Sequence, residues 1–213
     1  MPVVTISRQF GAGGHTLGDI VAQRFGYQLV DRDIVAQVAK EANVSTKWVE
    51  AVEQDAGGLL MKICGRLVSS SFIERLLGDS GSDFDEKKYL RFVNKVIQDL
   101  AAEGDVVLIG RGSQFILPDH EQIIKVLLVA ELEDRIKFMM EHYNLTKSKA
   151  ELIVQKEEKR RLAFLKLFDS RHPDDPSIYS LVLNTSWISL AEAEAMISNL
   201  VGRVLDEYAT PIW

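Results

Sequence analysis

The sequence predicts a three-layer α/β domain, a parallel sheet of about five strands with helices on both faces. Three observations carry this. The strand-like runs Val3–Ile6, Asp105–Ile109 and Ile123–Val129 are almost continuously apolar or β-branched, as strands buried on both faces are. Segments of helical period separate them, which is the alternation of parallel sheets. The first strand also passes through a glycine-rich turn, Gly11-Ala-Gly-Gly14, directly into a helix with Leu17, Ile20, Val21 and Phe25 on its apolar face.

The remaining elements follow in order. Tyr27–Asp31 is a short second strand, and Asp33 to about Ala42 is a helix. Asn43-Val-Ser45 is a break, with Ser45 suited to cap a helix starting near Thr46. Residues 57–78 carry helical spacing despite Gly65 and Ser69-Ser-Ser71, and Gly78-Asp-Ser-Gly-Ser82 is a loop. Tyr89, Phe92, Val93, Val96, Ile97 and Leu100 trace a helix face that ends at Gly104. The third strand, Asp105–Ile109, is terminated by Gly110-Arg-Gly112. After the fourth strand, Glu131 to about His142 is helical, with Glu131, Glu133 and Asp134 favourably placed in its first turn. Thr146 or the Ser148-x-x-Glu151 box starts a long helix reaching about Ser170. Arg171–Pro176 is a loop, Tyr179–Asn184 the last strand, and Ser189-x-x-Glu192 caps the final helix.

Composition narrows the function. The 213 residues, 46% hydrophobic, suit one domain with a full core. No apolar run has the length of a membrane span, and no secretory signal is visible. A single Cys64 excludes an internal disulfide and a cysteine-based zinc cage, and matches a reducing cytoplasm. The four histidines are scattered, with no pair spaced for a metal. A net charge of −6 argues against a nucleic-acid coat, yet permits a phosphorylated ligand held by a local arginine cluster.

Strand, glycine turn and helix together aim free amides and a positive helix end at a phosphate. Ligands of parallel sheets bind beyond the carboxyl ends of the strands. Ser7–Thr16, Asp31-Arg-Asp33 and Gly110-Arg-Gly112 all lie there. Against the template Gly-x-x-x-x-Gly-Lys-[Ser/Thr], Gly13 takes the last glycine. Arg8 then stands at the first glycine, Gly14 at the lysine and His15 at the hydroxyl position, with Thr16 one further on. A dinucleotide fingerprint fails, because its third glycine would fall on Thr16.

The first strand and turn, Asp31-Arg-Asp33, Ile109-Gly-Arg111 and Asn184-Thr-Ser186 together resemble the cytidylate-kinase-like family of P-loop proteins. The resemblance covers nearly the whole chain. It implies a P-loop kinase fold in one domain, 1–213, with a helical acceptor-side insertion at about 44–84 and a helical lid at about 144–172. It also implies phosphoryl transfer from ATP with Mg²⁺ to a nucleoside monophosphate, CMP-like by family, or to another small acceptor. By position, Gly11, Ala12, Gly13, Gly14, His15 and Thr16 would bind donor phosphates, with Thr16 the candidate Mg²⁺ hydroxyl. Asp31 and Arg111 would face the acceptor, and Lys159, Arg160 and Arg161 the lid. Arg8, Arg111 and Arg161 would be catalytic, with Arg135 a further candidate.

Each residue has a plainer reading beside this one. His15 is either a solvent-facing first-turn residue or a ligand contact. Asp31 is a helix cap or an acceptor contact, and Arg32 and Asp33 a local ion pair. Arg111 binds phosphate or pairs with a neighbour such as Asp119. The run Lys156–Arg161, with Glu157 and Glu158 inside it, is a basic lid or a solvated face of paired charges. Phe164, Leu165, Leu167 and Phe168 are core or, failing that, a homodimer face. A kinase lacking the lysine needs another cation over the β/γ-phosphates, and Arg8 is the candidate. A lysine restored at Gly14 is expected to meet a glycine held at φ > 0. The alternative is a nucleotide or phosphate sensor that keeps the cradle without turnover.

Overall fold

The computed structural model describes residues 1–31 and 86–209. Five strands form one sheet: β1 (Val3–Arg8), β2 (Gln28–Val30), β3 (Val106–Ile109), β4 (Ile123–Val129) and β5 (Leu181–Asn184). Their order is β2-β3-β1-β4-β5 and every pairing is parallel. Thus β1 is central, in register with Val106–Ile109 on one side and Ile123–Leu128 on the other. The strand order departs from chain order at β1, so its carboxyl end is where a ligand crevice opens.

Six α-helices are described: α1 (Gly14–Phe25), α2 (Glu86–Glu103), α3 (Ser113–Ile116), α4 (Leu132–Tyr143), α5 (Lys147–Leu165) and α6 (Leu190–Ala209). Strand alternation sorts the core into two layers. Val4, Ile6, Val126 and Leu128 meet Leu17 and Val21 of α1 and Ile197 and Val201 of α6. On the other face Val3, Val106 and Leu108 meet Val93, Val96, Ile97 and Leu100 of α2. A third, smaller cluster joins α4 to α5 through Ile136, Met139, Ala150 and Val154, and Phe10 of the glycine turn packs against it. The helical hairpin over the sheet edge is therefore anchored to the turn it overhangs.

The sequence reading holds for these strands and for α1, α2, α4 and α6. Ser189 and Glu192 form the reciprocal cap expected at the start of α6: Ser189 N–H donates to Glu192 Oε2 (2.8 Å) and Glu192 N–H to Ser189 Oγ (3.2 Å). For α5, Thr146 is the N-cap residue, without a side-chain cap bond. The helix stops at Leu165 rather than near Ser170. Phe164 and Phe168 turn into the second core, edge to face at 5.2 Å, and Leu165 is buried, while Leu167 stays exposed. Asp169 then binds Arg171 and closes a local turn. The one-turn α3 and a 3₁₀ turn at Pro176–Ile178, capped by Asp175, are too short to show a helical period. The expected helices after Asp33, near Thr46 and over 57–78, and the loop at 78–82, lie outside the described residues.

Candidate functional site

The carboxyl ends of the strands bring together Ser7–Thr16, Asp31 and Gly110-Arg-Gly112; Arg32 and Asp33, with the ion pair expected of them, lie outside the described residues. After β1 the chain makes a tight turn in which Ala12 N–H donates to the Gln9 carbonyl (3.1 Å). Gly13 then enters α1 in the left-handed region (φ 81°), and no side chain caps the helix. Leu17 N–H returns to the Gly13 carbonyl, so the first-turn amides of Gly14, His15 and Thr16 are the uncapped ones. That is an anion cradle by backbone geometry. The turn is braced by the strands beside it. Gln9 Oε1 accepts the Ala130 N–H (3.1 Å), and Thr185 Oγ1 donates to the Ala12 carbonyl (3.2 Å). A small, largely apolar cavity of about 130 Å³ opens next to it, between Gly11–Gly13, Phe138 and the Thr185–Leu190 segment.

Arg8 is the centre of the site. Its stem lies across the first residue of α1: a Cβ on Gly14 would stand 2.6 Å from Arg8 Cγ and 3.0 Å from Cδ. Its guanidinium ends at the tip of β3, where a Cβ on Gly110 would overlap Nη1. Gly14 is not among the glycines with positive φ. The expected resistance of Gly14 to a side chain thus has a different cause, the Arg8 stem and not the backbone. Arg8 has no hydrogen-bond or ion-pair partner among the described residues. Burial first, and then the neighbouring Arg111 and Arg161, push its pKa down to about 10, with Asp31 and Glu158 acting in the opposite sense. It remains a cation at neutral pH.

Arg111 sits on three successive left-handed residues, Gly110 (φ 68°), Arg111 (φ 58°) and Gly112 (φ 74°). A non-glycine residue there stores strain of about 1–3 kcal/mol, and such residues cluster at ligand clamps. Its guanidinium lies 5.4 Å from the centre of the Phe164 ring. Asp119 is not its ion-pair partner: that carboxylate meets Lys125 Nζ at 2.6 Å.

His15 and Asp31 come together, with Nε2 and Oδ2 3.0 Å apart. The hydrogen bond to Asp31 raises the His15 pKa against the opposing effect of burial. His15 is therefore half-exposed but engaged. Thr16 is part-buried in the same turn.

The lid residues separate. Lys159 is exposed and makes no ion pair among the described residues. Arg160 pairs with Glu157 (2.9 Å). Arg161 turns inward, between Glu158 (2.7 Å) and Asp174 (2.8 Å), and only 10% of its side chain is exposed. Glu158 reaches further, accepting the Phe10 N–H at 2.8 Å, and Arg135 Nη1 lies 3.6 Å from the same carboxylate. Gln9 Nε2 donates to Asp174 (3.1 Å). Gln9, Glu158 and Asp174 thus belong to the site although no sequence motif marks them. The only trace was a pair of glutamates inside a basic run.

A central parallel strand, a glycine turn with uncapped amides and an overhanging helical hairpin define the P-loop kinase fold. Solved structures agree. An uncharacterized protein from Eubacterium ventriosum ATCC 27560 aligns with a TM-score of 0.67 at 18% identity, over 95% of this chain and 98% of that one. A gluconokinase from Sinorhizobium meliloti 1021 aligns with a TM-score of 0.54 at 12% identity, over 98% and 95%. A shikimate kinase from Acinetobacter baumannii, in complex with shikimate, aligns at 0.50 and 14%, over 94% and 93%. At these identities the likeness is one of fold. The sequence pattern of the cytidylate kinase-like family matches residues 3–187, and the chain belongs to that family. No curated protein matches it. Among the described residues, no helix is long and apolar enough to cross a membrane.

Proposed function

We propose that the protein transfers the γ-phosphoryl group of ATP, with Mg²⁺, to a small anionic acceptor, in the first instance a nucleoside monophosphate. One observation carries this reading. Arg8 is a buried guanidinium with no hydrogen-bonded carboxylate among the described residues; it feels Arg111 and Arg161 more than Asp31 and Glu158 and lies beside uncapped helix amides. A buried guanidinium without a hydrogen-bonded counter-ion beside uncapped amides calls for an anion, and perturbed groups gather where ligands bind.

The roles follow from position. Gly11 to Thr16 hold the donor phosphates, and Arg8 supplies the positive charge that the lysine of the P-loop template would have brought. Because its head lies at Gly110, Arg8 faces the acceptor side as well as the donor. Arg111 binds the acceptor anion, with Asp31 nearby. Mg²⁺ is usually held by substrate phosphates and few protein ligands. Among the described residues, no three His, Cys, Asp or Glu side chains gather into a metal site. By its place in the first turn of α1, Thr16 is the hydroxyl proposed to contact an ion brought in on ATP, which would neutralise charge on the transferring group. The reaction suits a cytoplasm, and of Phe164, Leu165, Leu167 and Phe168 it is Leu167, just past α5, that is left exposed for a homodimer to cover.

The test is ADP release from Mg·ATP across a broad acceptor set: nucleoside monophosphates, and also gluconate and shikimate for the two fold relatives. Acceptor-dependent release is expected. ATP binding without release for any acceptor would favour a sensor, a reading motivated by Gly14 at the lysine position and by Glu158 on the turn. Absence of ATP binding at millimolar concentration in equilibrium dialysis, with and without Mg²⁺, would remove both.

A further inference from the structure

The turn already holds an anion that belongs to the chain. Glu158 Oε2 accepts the Phe10 N–H at 2.8 Å and lies 3.6 Å from Arg135 Nη1. Its other oxygen, Oε1, accepts from Arg161 Nε (3.0 Å) and Nη2 (2.7 Å). One backbone amide and two guanidinia around two oxygens is the donor set of a bound phosphoryl group. All three side chains are largely withdrawn from solvent, at 18%, 12% and 10% exposure for Glu158, Arg135 and Arg161.

The match is incomplete in an informative way. Arg135 Nε and Arg161 Nη1 are buried and have no hydrogen-bond partner. Buried donors are rarely left unpaired, and leaving one so is costly. Glu158 does not reach these two donors from where it sits, whereas a tetrahedral phosphoryl group carries further oxygens in other directions to offer them.

We propose that Glu158 is an internal stand-in for a phosphoryl group of the nucleotide. It holds Arg135, Arg161 and the Phe10 amide until a polyphosphate displaces it, and α5 shifts as it leaves. This rests on reading the turn as a phosphate-binding loop, and it adds a built-in competitor to that loop. Displacement releases both arginines from Glu158 together, with Arg161 still held by Asp174, so the lid helix answers to the nucleotide rather than to the acceptor.

The experiment measures inorganic tripolyphosphate binding by calorimetry in the full chain, for wild type, Glu158→Gln and Asp174→Asn. Glutamine keeps the size of Glu158 but not the charge that holds the arginines. The expected result is affinity at least about fivefold tighter in Glu158→Gln, the lower end of ordinary coupling between two ligands. A smaller gain is expected in Asp174→Asn, which leaves the Phe10 amide occupied. Unchanged or weaker binding in Glu158→Gln, beside measurable wild-type binding, overturns the proposal and leaves the phosphate loop standing. No binding by either protein overturns both. Hydrogen exchange in the wild type covers a variant that does not fold. Peptides from α5 spanning 154–165 should exchange faster once tripolyphosphate is added, and unchanged or slower exchange there counts against displacement.

Discussion

The glycine turn and the lid helix both carry arginines placed to meet phosphate, yet they hold their charge in opposite ways. Arg8, on the turn, has no carboxylate partner among the described residues and sits among other guanidinia. Arg161, on the lid, is locked between Glu158 and Asp174, and its pKa is raised as those partners outweigh its burial. Arg8 can meet a ligand directly, whereas Arg161 must first give up contacts within the chain. Counting basic residues along the chain does not distinguish them.

The contrast predicts that the two arginines fail differently. Arg161→Leu leaves two mostly buried carboxylates without their shared cation, which should cost about 3–5 kcal/mol, the usual penalty for breaking a buried pair. Urea unfolding measures it. A loss under about 1 kcal/mol would mean that the pairing is a surface effect. Arg8→Ala, by contrast, should leave stability unchanged or slightly raised, because it removes like-charge repulsion.

Turnover should reverse the ranking. Arg8→Ala is expected to lower turnover by about two powers of ten, the scale of losing a donor aimed at developing charge. Gly14→Lys alone should damage the protein, since its side chain would strike the Arg8 stem. The double variant Arg8→Ala with Gly14→Lys vacates that space and should recover part of the activity. Steady-state kinetics of the three proteins decide it; turnover indifferent to Arg8→Ala moves the role to another cation.

A third comparison lies within the acceptor side. Arg111→Ala should weaken acceptor binding by about 1.5–3 kcal/mol, the value of a charge-assisted hydrogen bond, and leave ATP binding intact. The reverse pattern, read from separate titrations, would assign Arg111 to the donor.

The smallest effect is a pH dependence. His15 has a folded pKa raised above its ordinary 6.5 by the bond to Asp31. Its contribution to stability is then full below about pH 6.5 and is lost as pH rises through the raised folded value. Thermal midpoints should fall across that window in the wild type and flatten in Asp31→Asn. Equal slopes in the two proteins would mean that the contact contributes nothing to folding.

How much of this was legible depended on distance along the chain. Strand β4 was readable to the residue, because seven positions apolar but for Lys125, after Gln122 and just ahead of an acidic helix start at Glu131, read as a buried strand. The Ser189–Glu192 cap was readable because both partners lie within one helical turn. Arg8 was visible as an anomaly in a known turn, but the path of its side chain was not, and the reason given for Gly14 was wrong on that account. The overshoot of α5 had a similar origin: Phe164 and Phe168 fit a continuing helix until the core they enter is known.

By itself, then, the sequence determined the β/α alternation, the glycine turn at the end of the first strand and the Ser189–Glu192 cap, all set by period, propensity and turn chemistry over a few residues. The tertiary structure decided the strand order around β1, the meeting of His15 with Asp31, and the seating of Glu158 on an amide 148 residues away. It also decided which arginines are neutralised. Such choices depend on which side chains share a low-dielectric space, and the ion pairs formed there leave no local periodicity to read.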